Sequence, residues 1–218
     1  MIKIVLASFL IFFVSGCSFE KKINSWEKRS SSNLKMYTDA YLSSQDLVAK
    51  NSLDRAIKNA KQSDDLSSLA KVYLSECALN IAVGIDDKCS KYTNLEDVVE
   101  SKRLDAYYSM IQKSIVEKQI EYLPSQYKGF ASSFLQRDYQ SAAKELFLID
   151  QTSSTLICAA LIKDELNATQ REQLLKRASL YGYKKAIIFW LDESSEKTND
   201  IEKKQKLQKK IAILISQE

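Results

Sequence analysis

The sequence predicts an all-α protein built from antiparallel helical hairpins. Three observations carry this. The 218 residues include one proline and four glycines, too few breakers for a sheet with many hairpins. Apolar side chains recur at i, i+3, i+4 and i+7 through most of the chain. The stretches between these runs are short, and short turns bring neighbouring helices together antiparallel. Hydrophobic residues make up 45% of the chain, enough for a sizeable core in one domain.

The first element is not part of that body. Lys3 supplies a minimal positive start, and residues 4–14, IVLASFLIFFV, form an apolar run. A helix that spans a bilayer needs about 20 apolar residues, so residues 1–16 read as a secretory signal rather than a span. The run ends in Val14, Ser15, Gly16 and Cys17. This VSGC closely resembles the lipobox of bacterial lipoproteins. The resemblance implies cleavage before Cys17 and a diacylglyceryl thioether on its sulfur, so the lipid bilayer is a partner through acylated Cys17. Several acyl chains, at about 0.8 kcal/mol per buried CH₂, anchor stably where one is marginal. It also implies a location in a bacterial cell envelope. By the sorting rule of such proteins, Ser18 in place of Asp implies the outer membrane, facing the periplasm or the cell surface.

Residues 17–32 are polar and charged with little periodicity, and read as a lipidated tether with Trp26 as its large apolar group. Residues 33–218 read as a single α-helical, repeat-like domain. Leu66, Leu69, Ala70, Tyr73, Leu74, Cys77 and Ile81 form one stripe. Asp64 or Asp65 should cap that helix, and Gly84 should end it. Residues 95–122 read as one long helix, or two with a break near Lys102-Arg103. After Pro124, Tyr127, Phe130, Ala131, Phe134 and Leu135 make the next stripe. A turn at Arg137-Asp138 leads to Tyr139, Ala142, Ala143 and Leu146. Residues 154–162, STLICAALI, and 186–191, AIIFWL, are apolar all round and should be central. Thr169 and Glu172 have capping-box spacing for the helix between them. The last segment carries Lys203, Lys204, Lys206, Lys209 and Lys210 with Ile201, Leu207, Ile211 and Leu214 as an apolar side. It reads as a final helix covering the array with a solvated basic face, or as a contact for anionic lipid or an acidic partner.

Two segments align without gaps, KNAKQSDDLSSLAKVYLSE at 58–76 and KRASLYGYKKAIIFWLDES at 176–194. Ala60 pairs with Ala178, Asp64 with Gly182, and Ser68 with Ala186. The Ala178-x-x-x-Gly182-x-x-x-Ala186 spacing resembles the Sel-like branch of the tetratricopeptide superfamily. Asp138–Ala142, DYQSA, resembles the turn and second helix of a tetratricopeptide unit. The resemblance implies a tetratricopeptide-like α-solenoid. On that alignment the first-helix signature positions fall on Gln126, Phe130 and Ser133, which depart from the family's pattern, so an irregular helical bundle is the alternative.

The composition also excludes chemistry. The chain has no histidine, so no His base, Ser-His or Cys-His pair, or His-bearing zinc site exists. It has no Gly-rich phosphate loop of the familiar patterns. A net charge of +4 is too mild to imply nucleic acid. No catalytic residue, metal site or cofactor is expected. Asp64-Asp65 and Asp86-Asp87 read as helix-start and turn chemistry. Beyond Cys17 three cysteines remain. An oxidising envelope permits pairing, and Gly84 lets the chain fold back so that Cys77 and Cys89 can meet. The pairings 77–158 and 89–158 stay open. Cys158 sits in an apolar run and is most simply a small buried hydrophobe. Asn167, in Glu165-Leu-Asn-Ala-Thr169, fits the acidic-x-Asn-x-Thr sequon of bacterial N-glycosylation.

These readings point to a membrane-anchored envelope lipoprotein that acts as a protein-interaction scaffold or assembly factor. A surface adhesin or antigen, or an inhibitor or exclusion factor, is the alternative. An envelope hydrolase would need two close, buried carboxylates.

Overall fold

The computed structural model describes residues 24–216, and they are helical with no strand among them. The signal residues Val14, Ser15, Gly16 and Cys17 lie outside the described residues.

The first hairpin pairs α1 (Ser25–Leu42) with α2 (Asp46–Ala60). Helix α1 starts at Ser25, inside the stretch that reads as a tether up to residue 32. Its seam explains why. Ser30 is buried and donates its hydroxyl to the Ala56 carbonyl at 3.0 Å. Ala49, Ser52, Ala56 and Ala60 are buried opposite. Small residues bring the two backbones close without the large apolar stripe that a periodicity search detects.

Helix α3 (Ser67–Ala82) follows. The Asp65 carboxylate accepts from the Ser67 amide at 2.9 Å, and Gly84 closes the helix at φ +84°. There the Ile85 amide returns to the Asn80 carbonyl at 3.0 Å and the Gly84 amide to the Ile81 carbonyl, the αL ending that favours glycine. Helix α3 is buried on more than one face: Val72, Leu79 and Ala82 join Leu69, Leu74 and Cys77.

Residues 95–122 do not form a long helix. A single turn, α4 (Ser90–Thr93), is followed by turns, then α5 (Lys102–Ile111) begins where the Ser101 hydroxyl accepts from the Leu104 amide. Lys113 at φ +59° breaks the chain again before the one-turn α6 (Glu117–Ile120). The break near Lys102 is real, but it marks a start rather than a kink.

The next hairpin is α7 (Ser125–Leu135) and α8 (Tyr139–Phe147). Its turn falls at Arg137, φ +58°, and Asp138 caps α8 by accepting from the Ser141 amide at 3.1 Å. Helix α9 (Thr152–Leu161) is buried along its whole length and packs on α3 at the centre. A single 3₁₀ turn at Lys163–Glu165 leads to α10 (Ala168–Leu180), α11 (Lys184–Glu196) and α12 (Ile201–Ile215), which run antiparallel in sequence. Helix α11 is not apolar all round in its setting. Ala186, Trp190 and Leu191 are buried, while Ile187, Ile188 and Phe189 are half-buried.

Helix α11 also meets the first hairpin. The Tyr183 hydroxyl donates to Asp39 at 2.9 Å, and the Lys185 ammonium lies 2.7 Å from Asp46 and 4.1 Å from the centre of the Tyr41 ring. In a linear repeat array each unit touches only its neighbours. Here α11, the second-to-last helix, touches the first hairpin.

Candidate functional site

Two places in this frame concentrate features that the core does not need. The first is the loop after α3. Cys77 and Cys89 are joined as a disulfide with Cα atoms 5.2 Å apart, and both are buried. Three elements hold the loop around the bridge. From α1, the Tyr41 hydroxyl donates to the Asn80 side-chain oxygen at 2.6 Å. From α3, the Asn80 amide donates to Asp87 Oδ2 at 2.7 Å. Beyond α5, Gln112 Nε2 donates to the Asp87 carbonyl at 2.9 Å and lies 3.3 Å from Cys89 Sγ. Asp87 Oδ1 accepts the Cys89 amide at 2.7 Å, which steadies Cys89 at φ +55°. Burial, with the charges of Asp46, Asp87 and Glu76 behind it, pushes the Tyr41 hydroxyl up to about 12. Asp86-Asp87 thus serves as turn chemistry. Asn80 and Gln112 carry no sequence signal, because a single polar residue on a helix reads as solvated until its neighbour is known.

Cys77, Asp87 and Cys89 also hold their donor atoms within 4.8 Å of one another. A soft metal would want thiolates there, and the two sulfurs are bonded to each other instead. The bridge, not a metal, fits the residues as they stand. Cys158 is the free thiol of the described chain. It is buried, and burial pushes its thiol far above the ordinary value, which suits an inert packing group.

The second place is the three-helix edge formed by α10, α11 and α12. An open groove of about 590 Å³ runs along it. Leu175 of α10, Ile187 and Leu191 of α11, and Ile213 and Leu214 of α12 line it. Glu172, Lys176 and Lys210 are its charged lining residues. Helix α12 has one buried residue, Leu207, along its fifteen positions. The basic segment is therefore a final helix against α11, as its pattern predicts, but its apolar side is only partly covered.

Asn167 lies at the start of α10 and is its N-cap. Its side-chain oxygen accepts the Gln170 amide at 3.0 Å, and Gln170 Oε1 accepts the Asn167 amide at 2.8 Å. The capping box sits two residues earlier than the Thr169–Glu172 spacing suggests. Asn is as good an N-cap as Thr, and Gln serves at N3 as well as Glu, so two overlapping boxes compete and the one at Asn167 wins. The sequon asparagine thus carries a structural role, with its side chain exposed.

Beneath this edge lies a charged cluster. Glu193 is the buried acid among the described residues, and its Oε1 lies 2.5 Å from the Lys163 ammonium. That contact raises the Lys163 ammonium above its ordinary range. Arg171 is buried too and donates to the Leu166 carbonyl; burial pulls its guanidinium down, and Glu193 partly restores it. Arg177 donates to the Ile149 and Asp150 carbonyls at 2.5 and 2.6 Å and ties the end of α8 to α10. A cavity of about 390 Å³ between Lys113, Arg137, Asp164 and Glu165 has charges of both signs at its mouth. The Lys197 ammonium, 2.7 Å away, holds the Asp164 carboxyl below its usual value. The chain matches no family model, and no curated protein and no solved structure matches it significantly.

Proposed function

We propose that this chain is a lipid-anchored protein of a bacterial cell envelope whose helical body binds another protein, as a scaffold or assembly factor. Acylated Cys17 is the anchor, and Ser18 after it favours the outer membrane. The observation that carries the reading is the Cys77–Cys89 disulfide. Structural disulfides persist in oxidising compartments, so the bridge agrees with the export that VSGC at 14–17 implies. The open groove at the α10–α12 edge supports the binding role. The body reads best as a closed helical bundle that includes two tetratricopeptide-like hairpins, α7/α8 and α10/α11. The contact of α11 with α1 favours closure over an open solenoid.

Metabolic labelling with a fatty-acid analogue, followed by mass spectrometry of the N-terminal peptide, tests the anchor. The wild-type protein should carry lipid on Cys17, and Cys17→Ser should lose the label and leave the membrane fraction. A Cys17→Ser protein that stays in the membrane without label would sink the anchor. Protease shaving of intact cells tests the direction. Protection supports an inward-facing scaffold; digestion supports the adhesin, antigen or exclusion reading.

A further inference from the structure

We infer that the groove between α10 and α12 is the docking slot for an acidic, amphipathic helix of a partner protein. This rests on the scaffold reading and names the surface and the chemistry of the partner. The argument begins with α12. Its last five residues, Ile211-Ala-Ile-Leu-Ile215, include none that is fully buried. Ile213 is 63% exposed although it lines the groove. Five apolar positions in a row are not what a solvated end of a helix needs. Among the helices of the body, α12 makes its main contact with α11 alone.

The shape argues for a helix as occupant. Helices α10, α11 and α12 follow one another in sequence, α11 packs on both of its neighbours, and all three line the groove. Leu175, Leu191 and Ile213, one from each of the three helices, line the same open apolar groove. A groove of apolar side chains receives the stripe of a helix at i, i+3, i+4 and i+7 spacing.

The charge argues for an acidic one. Helix α12 carries five lysines against Glu202, and none of the five pairs with a carboxylate among the described residues. On α10, Glu172 lines the groove too and pairs with Lys176 at 3.2 Å, so the uncompensated charge of the lining is Lys210 of α12. The unpaired lysines of α12 repel the same helix of a second copy and attract a segment rich in Asp and Glu.

The test uses the full-length, membrane-bound protein in its own cells. A photo-crosslinking amino acid is placed at Ile213 or Leu175 in the groove, and at Leu47 or Leu148, exposed apolar positions elsewhere. The expected result is a crosslink from both groove positions to one partner segment that is net acidic and has helical apolar periodicity by mass spectrometry. The Lys206→Glu, Lys210→Glu pair should reduce that crosslink by about tenfold or more. Crosslinking to a second copy, to another part of the same chain or to lipid would overturn the proposal, as would a partner adduct indifferent to the charge reversal. Adducts from Leu47 or Leu148 alone would overturn the groove and leave the scaffold standing. No adduct from any position would remove both.

Discussion

Helices α9 and α12 are both rich in aliphatic residues, and the fold treats them in opposite ways. Every residue of α9, including Thr152, Ser153, Ser154 and Thr155, is buried. In α12 only Leu207 is. The difference is not in apolar content but in what each carries between its apolar residues. In α9 the intervening groups are small hydroxyls that find partners inside: Thr155 donates to the Ile149 and Gln151 carbonyls, and Ser154 accepts from the Tyr127 hydroxyl at 2.7 Å. In α12 they are lysines, whose charge must stay in water. The same aliphatic content therefore builds a core in one place and an unfilled surface in the other.

The comparison breaks first at α9. Leu156 is fully buried at the α9 core. Leu156→Ala should lower unfolding free energy by about 2–5 kcal/mol, because it removes transfer energy and leaves a cavity. Denaturant titration with an unchanged m-value checks it. A loss below 1 kcal/mol, on the order of a surface change, would mean that α9 is not central. Second in size is the staple on α3, the helix that α9 packs against. The Cys77→Ser, Cys89→Ser protein should lose about 2–4 kcal/mol, as expected for a loop of this length. Reducing agent should reproduce the loss in the wild type and do nothing further to the variant.

Tyrosines extend the contrast to pH. The hydroxyls of Tyr37, Tyr41, Tyr92, Tyr107, Tyr127 and Tyr183 are all raised, chiefly by burial, while α12 contains no tyrosine. A hydroxyl whose folded value lies above the unfolded 10 keeps its proton longer in the native state. The native state then binds more protons above pH 10, so stability is fully present below that pH and falls as pH rises through the folded values. Circular dichroism and tyrosinate absorbance should show ionisation and unfolding together above pH 10. Tyrosines that ionise near pH 10 in a still-folded chain would show that their burial is not enforced.

Much of this was legible in the sequence. The Gly84 ending, the turn at Arg137-Asp138 and the burial of 154–162 follow from local rules, because glycine at positive φ, turn residues and unbroken apolar runs leave few alternatives, whereas Cys77–Cys89 is one of three pairings the sequence permits and the fold selects it. The hidden parts share one cause. Ser30 and Ala56 make the α1–α2 seam from residues too small to register as a stripe. Arg171, Arg177, Asn80 and Gln112 are polar residues whose partners lie on other elements, so their roles exist only once the chain has folded. The groove is of the same kind: Leu175, Leu191 and Ile213 belong to three separate stripes, each of which alone reads as ordinary core. Asn167 is intermediate. The sequence reading places the cap at Thr169, but the structure places it at Asn167, so Asn167→Ala should cost about 1 kcal/mol, whereas Thr169→Ala should cost a few tenths at most. Equal losses, measured by thermal unfolding, would restore the later box.

The smallest effect on stability tests the largest functional claim. Ile213→Ser replaces an exposed residue of the groove lining with one of similar helix propensity. Ile213 is 63% exposed among the described residues, so unfolding free energy should change by less than about 0.5 kcal/mol, far from the Leu156→Ala loss. If the two losses were alike, Ile213 would be packed by this chain itself, and α12 would be core like α9. If stability holds while co-purification of the crosslinked partner from detergent-solubilised membranes is lost, the aliphatic run of α12 is spent on another molecule. Leu207→Ala provides the internal reference. It removes the one buried contact of α12 and should destabilise more than Ile213→Ser, by the ordinary logic of a partly enclosed leucine. The order Leu156, then Leu207, then Ile213 in stability, with Ile213 foremost in binding, is what separates an interface helix from a weakly attached piece of core.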